Sequence, residues 1–219
     1  MLGINPWVKI WTSPRKTIKT IVSHNPRYKF NILCFIYGFA WILSLAQTIA
    51  MGNFYSTGTI LIISLLLAVP VGYILISISS LFFYLCGKLL RGRSSFLNVR
   101  ACVAWASVPT IFTILTWFVL VGVYGQGIFV SAHPAPMGQF SLSDGMMIIQ
   151  LVLGVWSLFI LVASYSEVES FSILRSIVSF ILVSCLWFAV TFTVFYLISL
   201  SSGVQQVATM FVVPNILPQ

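Results

Sequence analysis

Gly58 to Cys86 reads GTILIISLLLAVPVGYILISISSLFFYLC, twenty-nine consecutive residues without Asp, Glu, Lys or Arg. About 20 apolar residues rising 1.5 Å each cross a hydrocarbon core of roughly 30 Å, so this stretch can span a bilayer alone. Its apolar residues run continuously instead of alternating every second position, which argues against the strands of a membrane β-barrel.

The flanking sequence has the same character. Charge-free gaps of 58, 43, 22 and 44 residues separate Lys29 from Lys88, Arg100 from Asp144, Asp144 from Glu167, and Arg175 from Gln219. The first gap holds two spans turning at Gly52-Asn53, and the third holds one. In the second, a span from Ala101 to about Val123 gives way to a broken stretch, Gly125, Gly127, His133-Pro134-Ala135-Pro136 and Gly138, that reads as a loop. The last begins a span near Ile173 that is expected to stop near Leu200, where Ser201-Ser202-Gly203 follows. The expectation is an all-α polytopic membrane bundle of five helices near 30–51, 58–86, 101–123, 146–166 and 173–200. Residues 1–29 form a basic segment before it and 201–219 a short tail after it. Composition agrees: of 219 residues, 59% are hydrophobic and only 6% charged, with a mean hydropathy of +1.06, against about 25% charged in soluble domains.

The eleven Lys and Arg set the orientation. Lys9, Arg15, Lys16, Lys19, Arg27 and Lys29 precede the first span, Lys88, Arg91, Arg93 and Arg100 lie between the second and third, and Arg175 lies between the fourth and fifth. Five crossings put all of them on one side, so the positive-inside bias makes the N-terminus cytoplasmic and the C-terminus extracytoplasmic. A sixth crossing would return the C-terminus to the cytoplasm. The first 29 residues lack an apolar signal core, and the first span is expected to act as an uncleaved anchor.

Asn5-Pro6, Ser13-Pro14 and Asn25-Pro26 each place a capping side chain before a proline, implying two short helices before the first span. Around them Trp7, Trp11, Ile18 and Val22 share an arc flanked by Ile10 and Ile21, opposite Lys9, Lys16, Thr12 and Thr20. Such an amphipathic basic segment suits a membrane interface, with Trp7, Lys9, Trp11, Arg15, Lys16 and Lys19 as lipid contacts. Lys88, Arg91, Arg93 and Arg100, in an expected interfacial or re-entrant turn over 87–100, form a second lipid-binding patch. Glu167, Glu169 and Arg175 stand where ion pairing could tie the inner segments together. Pro70 and Pro109 are expected to kink the second and third spans, freeing carbonyls that either neighbours meet, as in ordinary packing kinks, or that lie along a hydrophilic groove.

No Asp, Glu, Lys, Arg or His falls inside an expected span, which lowers the prospect of proton relays, coupled transport and intramembrane proteolysis. His24 and His133 are isolated, and the four cysteines lack metal-ligand spacing. Neither a catalytic residue, a metal nor a cofactor is expected, and the cations are too dispersed for a nucleic-acid reader.

Three stretches, Asn5-Pro6-Trp7 through Ile18, Gly87-Lys88 through Pro109, and Glu167-Val168-Glu169-Ser170-Phe171-Ser172 with Arg175, resemble in their order the prokaryotic branch of the YIP family of five-span proteins. The resemblance implies a cytoplasmic N-terminus, a bacterial plasma membrane location and, by its eukaryotic relatives, a role in membrane organisation beside Rab-type GTPases. The acidic-Leu-Tyr-Gly-Pro motif of those relatives is not among the residues, so a GTPase partner is not carried over. The expected function is a non-enzymatic organiser or adaptor binding anionic lipid and a protein partner at its inner face, with room for homo-oligomers. The alternative is a passive transporter or lipid scramblase using the kinked spans.

Overall fold

The computed structural model of the protein describes residues 5–130 and 141–212, which are α-helical with two short 3-10 turns. The expected loop residues 131–140, His133 among them, and residues 213–219 lie outside the described residues. The helices are α1 (Pro6–Thr12), α2 (Pro14–His24), α3 (Phe30–Thr48), α4 (Thr57–Leu89), α5 (Phe96–Ala106), α6 (Thr110–Tyr124), α7 (Leu142–Val168) and α8 (Ile173–Val212). Five segments are long and apolar enough to cross a membrane: α3, α4, α5 with α6, α7, and α8.

Two short helices start at the first two prolines, as the sequence predicts. Asn5 accepts a hydrogen bond from the Trp7 amide at 3.2 Å and caps α1, whereas Ser13 precedes α2 without a side-chain capping bond. At Asn25-Pro26 the same arrangement makes only a turn, in which the Asn25 side chain accepts from the Arg27 amide at 2.9 Å before α3 begins.

α3 and α4 form a close antiparallel pair. Ile60, Ser64, Ala68, Gly72, Ile76 and Ser80 recur every fourth residue on α4 and are all buried. Gly38 on α3 faces Ala68 and Gly72, while Gly72 faces the Cys34 carbonyl; a Cβ added at either glycine would overlap backbone of the other helix. In a bilayer, where burying apolar surface offers no driving force between helices, such backbone approach is what holds a pair together.

The third span differs from the continuous helix expected over 101–123. It starts earlier, at Phe96, and breaks after Ala106, so that Pro109 divides α5 from α6. Proline cannot donate to the carbonyl four residues back. That carbonyl, Trp105, instead accepts from the Val108 amide at 3.3 Å in a tightened turn. Pro70, by contrast, sits on an exposed face of α4 and the helix runs through it without a break. α5 is the axis of the bundle: Ala101, Cys102, Ala104, Trp105 and Ala106 are all buried, with α2, α3, α4 and α7 packed around it.

The expected interfacial turn over 87–100 is also corrected. Lys88 and Leu89 still belong to α4 and Phe96 to Arg100 already belong to α5. The turn between them closes α4 with the Gly92 amide donating to the Gly87 carbonyl at 2.7 Å and the Arg91 amide to the Lys88 carbonyl at 3.0 Å. This is a Schellman ending, with Arg91 taking the left-handed position (φ 66°) that glycine usually fills. α7 ends in the same way through Ser170 (φ 57°), the Phe171 amide donating to the Ser166 carbonyl at 2.9 Å. At the other end of the bundle, Ser141 and Asp144 form a reciprocal capping box that starts α7. α8 shows no break at Ser201-Ser202-Gly203; without a proline there, nothing forces the helix to stop.

Candidate functional site: the basic end of the bundle

The amphipathic face of α1 and α2 is turned onto the bundle. Ile10, Ile18 and Ile21 are fully buried, in a cluster with Trp105, Phe30, Cys102 and Ile160. Trp7 lies against Trp105 with ring centroids 5.1 Å apart, Tyr28 stacks on the same indole at 6.2 Å, and Trp11 meets Phe112 edge-on at 5.4 Å. Trp7 and Trp11 remain half-buried, so each gives one side to protein and keeps the other outward. The apolar arc read from the sequence is therefore real, and α7 and α5 together cover it. An arc read from one helix says which side is apolar, and cannot say whether protein or lipid covers it.

Lys9 and Lys16 lie on the opposite side of these helices and Arg15 and Lys19 on its flank, all exposed. Two of them fasten α2 to the end of α7. Arg15 Nη2 donates to Ser166 Oγ at 2.9 Å, and Lys19 Nζ pairs with Glu167 Oε1 at 3.1 Å. Lys19 is 74% exposed, and such surface pairs contribute under about 1 kcal/mol. Ser166 could not be found from composition, since a serine near a helix end carries no signal of its own.

Glu169 takes a different partner from the cation expected. It is only 2% exposed, and its Oε2 accepts from the Ser94 amide at 3.0 Å. The carboxylate is held against the end of α4 where Gly87 and Gly92 leave room: a Cβ at Gly92 would overlap Glu169 Oε2, and one at Gly87 would lie 2.9 Å from Oε1. Tyr165, fully buried beside it, donates to the Phe83 carbonyl at 2.8 Å. Oε1 has no partner among the described residues. Glu169 thus locks the α4–α5 turn to α7 through a backbone amide. Arg175 is exposed, and the Lys19–Glu167 pair is the one ion pair among the described residues, so the ion pairing expected to tie the inner segments together is present there between α2 and α7.

In the second basic patch Lys88, Arg91 and Arg93 are exposed, with Lys88 Nζ 5.2 Å from the centre of the Tyr84 ring. Arg100 is set apart. It is half-buried, its guanidinium lies 4.4 Å over the Phe30 ring and 5.8 Å from the rings of Tyr73 and Phe96. Aromatic faces attract a cation without neutralising its charge. Among the described residues no group of three His, Cys, Asp or Glu could hold a metal ion.

Beside the proline break lies a cavity of about 550 Å³ whose lining is mostly apolar, with Val103, Leu151, Val155, Leu158, Leu161 and Phe180 around Ser107, Thr110, Gln150 and Ser157, so a hydrophilic groove does not open there. Two of its polar side chains are turned to helix partners: Ser107 Oγ donates to the Ala104 carbonyl at 2.7 Å, and Gln150 donates to Thr116 Oγ1 at 2.8 Å.

Comparison with known proteins bears on the whole of this arrangement. No curated protein and no solved structure matches the chain. The Yip1 domain family model matches residues 8–198, from within α1 into α8, so that the docked basic helices lie inside the matched region together with the five apolar spans. The chain is an integral multi-pass membrane protein and belongs to the Yip1 domain family.

Proposed function

We propose that the protein is a non-enzymatic organiser or adaptor of its membrane, with the basic end of the bundle facing the cytoplasm and binding anionic phospholipid. The observation that supports this best is the unequal fate of the charges. Ten of the eleven Lys and Arg are exposed, whereas the two acids at the same end are engaged, Glu167 with Lys19 and Glu169 in the interior. That end therefore presents a surface of one sign. Each cation near an anionic leaflet contributes about 1 kcal/mol, reduced by salt. In this reading Lys9, Arg15, Lys16, Lys88, Arg91 and Arg93 meet headgroups, while Trp7 and Trp11 hold the platform on which the first of them stand. A protein partner would use the same surface through an acidic segment. The Yip1 family is not known as a family of enzymes, and the likeness of the motifs to its prokaryotic branch supports a bacterial plasma membrane.

The test is lipid selectivity of the full chain reconstituted in bilayers, read by electron spin resonance of spin-labelled lipids. Phosphatidylglycerol should associate more strongly than phosphatidylcholine, and the preference should fall with salt and with the combined reversal Lys9→Glu, Lys16→Glu, Lys88→Glu and Arg93→Glu. Equal association of the two lipids with the wild-type chain would remove the reading. Passive transport or scrambling stands second, favoured by the cavity beside Pro109; lipid flipping above the protein-free rate in the same vesicles would promote it.

A further inference from the structure

At the start of α3 a cavity of about 580 Å³ is lined by three cations, Arg27, Lys29 and Arg100, together with Asn31, Tyr73 and Ile32. Three like charges around one cavity repel one another unless an anion sits among them. The chain supplies none. It has three acidic residues in all, and each is engaged elsewhere: Asp144 caps α7 at the far end of the bundle, Glu167 pairs with Lys19, and Glu169 is buried against Ser94. Arg100 makes the demand sharpest. Half-buried among the rings of Phe30, Tyr73 and Phe96, with its Nη1 3.5 Å from the Tyr73 hydroxyl, it has lost part of its water without gaining a carboxylate.

The place of the cavity says what the anion is. Phe30 is the first residue of the first span, so the cations stand at headgroup depth, while Ile32 and Tyr73 on the same lining are exposed on faces of membrane-spanning helices. A ligand there would meet guanidinium and ammonium groups at one end and apolar surface at the other. We propose that this cavity is a specific site for one anionic phospholipid, its phosphate held by Arg27, Lys29 and Arg100 and its acyl region along α3 and α4 beside Ile32 and Tyr73. Guanidinium groups suit phosphate oxygens through paired N–H bonds. Three cations favour the phosphomonoester of phosphatidic acid over a singly charged diester. The inference rests on the basic end of the protein binding anionic lipid, and adds to it one place and one stoichiometry.

Native mass spectrometry of the full chain, released from detergent with phosphatidic acid or phosphatidylcholine added, tests it. Arg27 and Lys29 are exposed and form no ion pair among the described residues, so Arg27→Gln with Lys29→Gln removes two charges without disturbing the core. The wild-type chain should retain one phosphatidic acid in preference to phosphatidylcholine. The double variant should weaken that retention by about ten- to thirty-fold, the effect of two charges near an anionic group. Arg175→Gln, at an exposed cation of the same end that belongs to neither lipid contact, should leave it unchanged. Retention kept in the Arg27 and Lys29 double variant, or weakened as much by Arg175→Gln, would overturn the site while leaving the lipid-binding face intact. No preference for phosphatidic acid in the wild-type chain, together with no selectivity in bilayers, would overturn both. Inorganic phosphate at the same concentration should not displace the lipid; displacement would assign the cavity to a soluble anion and overturn the proposal.

Discussion

Glu169 is the residue whose removal and whose neutralisation should have opposite consequences. Its carboxylate accepts from the Ser94 amide through one oxygen and leaves the other unpartnered in the interior. Glu169→Ala would leave the Ser94 amide without its acceptor and open a void against Gly87 and Gly92, a loss of about 2–4 kcal/mol. Glu169→Gln keeps the acceptor and the shape while removing an uncompensated negative charge, so it should be neutral or mildly stabilising. Thermal unfolding of the detergent-solubilised chain separates the two: the alanine variant should melt several degrees lower and the glutamine variant at or above wild type. A glutamine variant as unstable as alanine would show that the charge itself is needed.

Helix contacts are where the sequence is least informative about its own fold. Which segments cross the membrane can be read from the runs between Lys29, Lys88, Arg100, Asp144 and Arg175, because the cost of burying charge in hydrocarbon is written in composition. Which helices touch depends on surfaces from distant segments, and no single stretch encodes that. Cys34 with Gly38 and Ala68 with Gly72 each form a small-xxx-small pair, the one signal that could have marked the α3–α4 contact. Gly72→Leu should force these helices apart and lower the yield of folded, monodisperse protein, whereas Gly154→Leu, at a glycine with nothing within 4 Å of a built Cβ, should not. Size-exclusion profiles of the two variants make the comparison. Trp105 is the corresponding hub for the basic helices: its indole, 1% exposed, carries Trp7 on one contact and Tyr28 on another. Trp105→Ala removes a buried aromatic side chain, typically about 3–5 kcal/mol. With α1 and α2 undocked, limited trypsin digestion should cut at Lys9, Arg15, Lys16 or Lys19 much faster than in wild type. Unchanged cleavage would mean that Ile10, Ile18 and Ile21 suffice to hold them.

For the molecule as a whole, the decisive property is that every Lys and Arg lies before α3, around the α4–α5 turn or in the first turn of α8, and an odd number of crossings gathers those places at one end. The fold bears on the parity. A sixth crossing would need a turn after α8 begins, yet α8 runs unbroken from Ile173 to Val212, so no reversal occurs within the described residues. That the basic end faces inward is a proposal from the positive-inside bias, and membrane-impermeant maleimide labelling tests it with two single substitutions. Phe54, 79% exposed in the α3–α4 connection, marks the end that lacks cations, and exposed Arg93 marks the basic end. The native thiols interfere little, since Cys34, Cys86 and Cys102 are buried and Cys185 lies within the span of α8, beyond reach of a charged reagent. Phe54→Cys should label on intact cells, and Arg93→Cys only after permeabilisation. Labelling in the reverse order would put the cationic surface on the outer leaflet, and with it both the lipid-binding face and the cavity of Arg27, Lys29 and Arg100.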